Sequence, residues 1–178
     1  MKKNILILFI LCFTVLTAQE KYITKSGNIH FEASVPSFEP VEATHTNVSA
    51  ILKEDGSFAA LALVTGFRFK IALMEEHFNE NFAESSKYPK ITFKGKITDF
   101  ILENLTEEEK EYIISGTFSM HGTEKTMDVP ALLKKENGSI IINSSFAVKP
   151  EDFNIEIPSV VSKKIAEEIN VSVMLNLK

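Results

Sequence analysis

The chain has 178 residues, 19 Lys and Arg against 24 Asp and Glu, and a formal net charge of −5. Arg68 is its single arginine, so it lacks the clustered cations that nucleic-acid phosphates or an anionic membrane surface require; no nucleic-acid partner is expected. Its 14 Phe and 3 Tyr, with no Trp, supply much apolar area with few polar tips and suit a dry interior.

The chain starts Met1-Lys2-Lys3-Asn4, continues with an apolar run over 5–16, and then reads Thr17-Ala18-Gln19. That is the order of a secretory signal: a charged start, an apolar stretch and a small residue at a cut site. The run is shorter than the ~20 apolar residues of a spanning helix. We read 1–18 as a signal peptide cut after Ala18, with an uncleaved anchor as the alternative, and 19–178 as one barrel domain. The expected location is the periplasm or the exterior. Cys12 lies inside the leader behind Leu11, which is not the small residue of a lipoprotein signal. The mature chain then has no cysteine, hence no disulfide and no thiolate metal site. Losing Lys2 and Lys3 leaves 17 basic against 24 acidic residues, a net charge of −7.

Eight segments have strand character, with cores near 28–34, 43–53, 57–65, 90–102, 111–121, 125–134, 139–148 and 169–177. Several alternate with period two, as a sheet with two unlike faces demands. Ile169, Val171, Val173, Leu175 and Leu177 form the cleanest such row. Tyr112, Ile114, Gly116, Phe118 and Met120 form another. Asp55-Gly56 and Asn137-Gly138 stand where hairpins need positive φ.

Two segments break the pattern. Over 69–85, Ile71, Met74, Phe78 and Phe82 fall at helical spacing, with Glu75, Glu76, Glu80 and Glu84 on other faces. Those four apolar residues are expected to face the protein and the glutamates to face out. A second, shorter helix is expected over 159–168, with Ser159 as N-cap behind Pro158. The acidic run 106–109 reads as a solvated loop.

The expected fold is therefore all-β, a single eight-stranded antiparallel barrel with one helix after the third strand and a short helix before the last. Closure removes exposed edges. Such a barrel either fills with its own side chains or holds one small ligand, and periodicity alone separates neither these cases nor a barrel from a sandwich.

Five stretches carry a family resemblance. They are Gly27-Asn28-Ile29-His30-Phe31; the run 67–82 with Met74-Glu75-Glu76-His77-Phe78; Tyr88-Pro89 entering Ile91-Thr92-Phe93; Met120-His121-Gly122-Thr123-Glu124-Lys125; and Asp152-Phe153-Asn154-Ile155. In this order they resemble the YceI-like family, secreted or periplasmic polyisoprenoid-binding proteins with a lipocalin-like barrel. Asn154 stands where that family has glycine, and asparagine is the next best residue for a left-handed backbone. Glu75-Glu76 stand where relatives often carry an Arg-Asp pair before the helix histidine. The resemblance implies an elongated apolar pore holding one long isoprenoid or fatty chain.

Catalysis has no sequence support. There is no GxSxG and no mature cysteine, and the paired carboxylates sit in charge runs. No catalytic residue, metal site or cofactor is expected. The four histidines, His30, His45, His77 and His121, show no ligand spacing. His77 reads as a surface residue, and His121 before Gly122 as part of a turn. The pore-lining, ligand-binding candidates are Phe67, Phe69, Met74, Phe78, Phe82, Phe93, Phe118, Phe146 and Phe153; for any one of them alone, ordinary packing is the simpler reading.

The leading functional expectation is a binding protein that sequesters a long-chain isoprenoid or fatty amphiphile without covalent chemistry. An interaction module with a filled core and an enzyme on a lipid-linked substrate are the alternatives. Whether the chain forms a homodimer is left open.

Overall fold

Period-two alternation makes strand of most of residues 20–178, which the computed structural model describes; the expected leader lies outside them. The strands are β1 (Lys21–Ser34), β2 (Glu42–Lys53), β3 (Ser57–Leu63), β4 (Arg68–Phe69), β5 (Lys90–Ile97), β6 (Lys110–Met120), β7 (Thr123–Glu136), β8 (Ser139–Val148) and β9 (Ile165–Leu177). They run in the order β1-β9-β8-β7-β6-β5-β3-β2, and β1 pairs with β2 to close the ring. Every pairing is antiparallel. The result is the expected closed eight-stranded barrel. The two-residue β4 takes over from β3 beside Ala43 and Thr44 of β2.

Up-and-down order sorts the connections to two ends. One end holds the turn after β2, the segment 98–109, the turn after β7 and both ends of the described chain. Its hairpins are tight: Asn137 and Gly138 both have positive φ, as does Gly56. The other end holds the longer segments 35–41, 64–89 and 149–164, and the His121-Gly122 turn.

The first end is solid. Leu52, Ile97, Leu133, Ile140 and Leu177 point inward and are almost wholly buried. Leu102 and Leu105, from a 3-10 turn between β5 and β6, plug the base. Tyr22 also points in; its hydroxyl donates to Glu20 Oε1 (3.0 Å) and accepts from Lys135 Nζ (3.1 Å), so its polar tip is satisfied.

Several boundaries differ from expectation. β1 starts earlier, at Lys21, because register shifts between Thr24 and Ile29 interrupt the alternation that marks a strand in sequence. β5 stops at Ile97, since Asp99 takes φ +52 and turns the chain away. The second helix is one turn, α2 (Ser159–Ser162); Ile165 already pairs with Ser34 in the sheet, so barrel closure overrides the helical pattern. Pro158, not Ser159, occupies its N-cap, without a side-chain cap bond.

The helix after the third strand is present as α1 (Ala72–His77), continued by a wider π-type turn over Phe78–Phe82. The Ala83 N–H donates to the Phe78 carbonyl at 2.8 Å. Together they form a lid over the open end.

Candidate functional site

Above the solid base the barrel opens into a cavity of about 450 Å³. Its walls are the inward rows of the strands, and its roof is the lid. All nine pore candidates, Phe67, Phe69, Met74, Phe78, Phe82, Phe93, Phe118, Phe146 and Phe153, lie around it. The interior is therefore not filled by its own side chains.

The rings form two groups. Phe31, Phe67, Phe69 and Phe78 pack with centroids 5.3–5.7 Å apart, tilted or edge to face, as aromatic quadrupoles prefer. Opposite, Phe118 lies 5.2 Å from Phe153 and 6.4 Å from Phe146. Phe93, the cross-strand partner of Phe118, lies 6.2 Å from Phe58.

Phe31 is central to the first group and was not among the candidates. Its alternation with Ile29 on an opening strand is the signal that could have found it. Val171 and Val173, from the clean alternating row of β9, also face the cavity. Phe38 reaches it from an irregular segment that carries no period to read, and Val161 from the single turn of α2.

Polar side chains are few on this surface. Glu39, His77, Lys149 and Lys164 stand among its lining residues, and each is solvent-exposed. Lys149 pairs with Glu168 at 3.6 Å. His77 is exposed, as expected of a surface residue. Among the described residues, no group of three or more His, Cys, Asp or Glu is arranged to hold a metal ion.

Two glutamates of the lid do not simply face out. Glu75 accepts from Arg68 Nη1 at 2.8 Å and from the Phe69 N–H at 3.1 Å, tying α1 to β4. Arg68 Nη1 also donates to the Thr65 and Phe67 carbonyls. Glu84, at the lid's far end, accepts from His121 Nε2 at 2.7 Å.

His45 lies beneath the near end of the lid. It is 3 % exposed, and its ring meets Phe67 edge to face at 5.2 Å. A Cβ on Gly66 would sit 2.1 Å from Nε2, so the turn can pass over the imidazole only as glycine. The Asn47 N–H donates to Nδ1 at 3.0 Å, which makes Nδ1 an acceptor and the ring neutral. Burial lowers this histidine's pKa. The Leu63 carbonyl works against the shift, although it does not meet Nε2 in hydrogen-bonding geometry, and Arg68 adds to the lowering.

The barrel matches solved structures of low sequence identity. A polyisoprenoid-binding domain from Saccharophagus degradans, implicated in plant cell wall breakdown, superposes with TM-score 0.79 at 13% identity, over 90% of this chain and 99% of that one. BcnA of Burkholderia cenocepacia gives 0.70 at 16%, over 85% and 96%. The YCEI protein of Campylobacter jejuni gives 0.61 at 16%, over 81% and 89%. No curated protein matches the chain in sequence. The model of the YceI-like domain, however, matches residues 21–177, nearly the whole described chain. With that match and this barrel, the chain belongs to the YceI-like family.

Proposed function

We propose that this protein binds a long apolar chain, a polyisoprenoid or fatty amphiphile, in the barrel and holds it without covalent chemistry. The observation that carries this reading is the cavity: about 450 Å³, shut at the base and walled by phenyl rings. Ligand pockets typically run ~300–1,000 Å³ with mostly apolar walls. The polyisoprenoid-binding relative of the same fold adds support for a lipid-like ligand.

A dry cavity of ~150 Å³ holds one benzene, so this one takes on the order of 18 carbons. At ~0.8 kcal/mol per buried CH₂, that is roughly 14 kcal/mol of gross transfer energy. Association costs about 4–15 kcal/mol. The balance closes without any polar contact only if the walls are already in place, which the interlocked rings favour. A longer tail would leave its remainder, or its head group, at the mouth among Glu39, Lys149 and Lys164. Delivery by the leader to the periplasm or exterior belongs to the same proposal.

The test is to purify the protein without denaturation, extract it with organic solvent and identify what is released by mass spectrometry. A prenyl or acyl species is expected. No lipid in the extract, together with no binding of prenyl or acyl probes, rejects the proposal.

A further inference from the structure

At the far end of the lid, one side chain ties three of the four mouth segments together. His121 Nε2 lies 2.7 Å from Glu84 Oε2, and Nδ1 lies 3.0 Å from the Phe153 carbonyl oxygen. Its side chain is only 11 % exposed. Both partners are acceptors: a carbonyl oxygen has no hydrogen to give, and Glu84 presents a carboxylate oxygen. A neutral imidazole has one N–H and would leave one of these short contacts as two lone pairs face to face. The geometry needs both ring nitrogens protonated.

A second observation marks the same place. Among the described residues six non-glycine positions have positive φ, and three of them meet here: Glu84 (+43), His121 (+52) and Asn154 (+55). Backbone strain concentrated in this way is characteristic of switch and clamp sites. Gly122 completes the turn, because a Cβ there would sit 2.6 Å from the Tyr88 ring.

We infer that His121 is an imidazolium clasp that closes the lid over the cavity and releases it when the proton is lost. The clasp joins the lid's exit at Glu84, the β6–β7 turn and the turn over Pro150–Phe153, whose Phe153 ring forms a cavity wall. The other charged and titratable groups around the ring are few. From the lid's exit, Tyr88 packs against it at 4.5 Å, with Lys87 Nζ 4.8 Å from the centre of that ring. From β7 and the Pro150–Phe153 turn come Lys125 and Asp152, which are paired with each other. Asn154, which donates to Thr123 Oγ1 at 2.8 Å, is neutral. Glu84 is therefore the charged group that meets the imidazolium directly, and Lys87 is close enough to interact with the same carboxylate. The clasp is closed at acidic pH and open at alkaline pH.

The ligand-release part of this inference rests on the proposed function; the clasp itself does not. Three readouts on the full chain separate the two. With histidine labelled in ¹⁵N, the ring signal that is lost in His121→Asn should show both nitrogens protonated at pH 6. In ligand-free protein, the amides of Ala83 and Tyr88, corrected for intrinsic exchange, should lose protection between pH 6 and pH 9. Preloaded N-phenyl-1-naphthylamine should leave at least about fivefold faster at pH 9 than at pH 6, and less than about twofold faster in Glu84→Gln, reporting an opening event of the kind that gates lids. A neutral tautomer of His121 at pH 6 overturns the clasp, and so does protection at Ala83 and Tyr88 that ignores pH. Probe release that ignores pH, in protein that binds the probe, overturns its role as a gate. Failure of any apolar probe to bind would sink the proposed function and leave the first two readouts to decide the clasp.

Discussion

The two ends of the barrel are built from the same strands and the same alternation, yet they differ in what the inward residues are. Toward the base these are Leu52, Ile97, Leu133, Ile140 and Leu177, branched aliphatics that interlock to zero or near-zero exposure. Toward the mouth they are Phe31, Phe93, Phe118 and Phe146, only part-buried, around open space. Aliphatic side chains fold into one another's gaps, whereas flat rings standing on a cylinder wall brace each other edge to face and leave the axis empty. The connections follow the same division. Tight turns and a leucine plug shut the base, and long segments with a short helix cover the mouth. Stability is concentrated at one end so that the other can stay hollow.

That division is open to a direct test by substitution at each end. The largest effect should come from Leu133→Ala, which empties a fully buried position in the base. It should cost about 2–5 kcal/mol in urea or guanidinium unfolding, with probe affinity little changed in protein that remains folded. Phe78→Asp should do the reverse. It aims a carboxylate at the cavity from a half-buried position, so apolar-probe affinity should fall about 100-fold while stability falls by about 1 kcal/mol. Equal losses of binding and stability in Phe78→Asp would mean that the mouth is core like the base, and the comparison would collapse.

The barrel was legible because alternation survives in most strands, and β6 and the 169–177 part of β9 carry it without a break. It failed where the backbone departs from the regular ladder, at the irregular start of β1 and at Asp99. It also failed at 165–168, where Ile-Ala-Glu-Glu has no strand signal of its own and is drawn into the sheet by pairing with β1. The phenylalanines around the cavity were legible as a set, through residue type and the family's motif order. Whether they enclose space was not, because the same rings at the same spacing could fill a core. The Glu84–His121–Phe153 tie was out of reach of any local pattern: its members stand 37 and 32 residues apart and meet only when the lid folds back.

The buried histidine beneath Gly66 gives the next, smaller effect. His45 is held neutral beneath Gly66. The unfolded chain protonates it near the ordinary value of 6.5, the folded chain only at lower pH. Between those two values the unfolded state holds more protons. Its contribution is therefore whole above about 6.5 and is lost as pH falls toward the lowered value. Urea midpoints measured from pH 7.5 down to pH 5 should decline in the parent protein. The decline should be shallower in His45→Asn, whose side-chain oxygen can still accept the Asn47 N–H. Parallel profiles would show that the buried ring carries none of the acid sensitivity.

The smallest effect is expected at the exposed pair on the lid's near end. Arg68 is largely in solvent, so its bond to Glu75 should contribute only about 0–1 kcal/mol. Glu75 has a second task, however, since its other oxygen accepts the Phe69 N–H and sets the angle at which β4 hands the chain to α1. Glu75→Gln keeps one acceptor, and so should leave both unfolding midpoint and probe affinity nearly unchanged. Glu75→Ala removes both acceptors. If the pair merely decorates the surface, the two variants will behave alike in stability and binding. If it positions Phe67 and Phe69 against Phe31, the alanine variant alone will lose probe affinity, by roughly threefold to tenfold for a misplaced ring edge worth about 0.5–1.5 kcal/mol. That loss would come with a stability change no larger than the surface pair allows, because the mouth, unlike the base, can lose its shape without losing the fold.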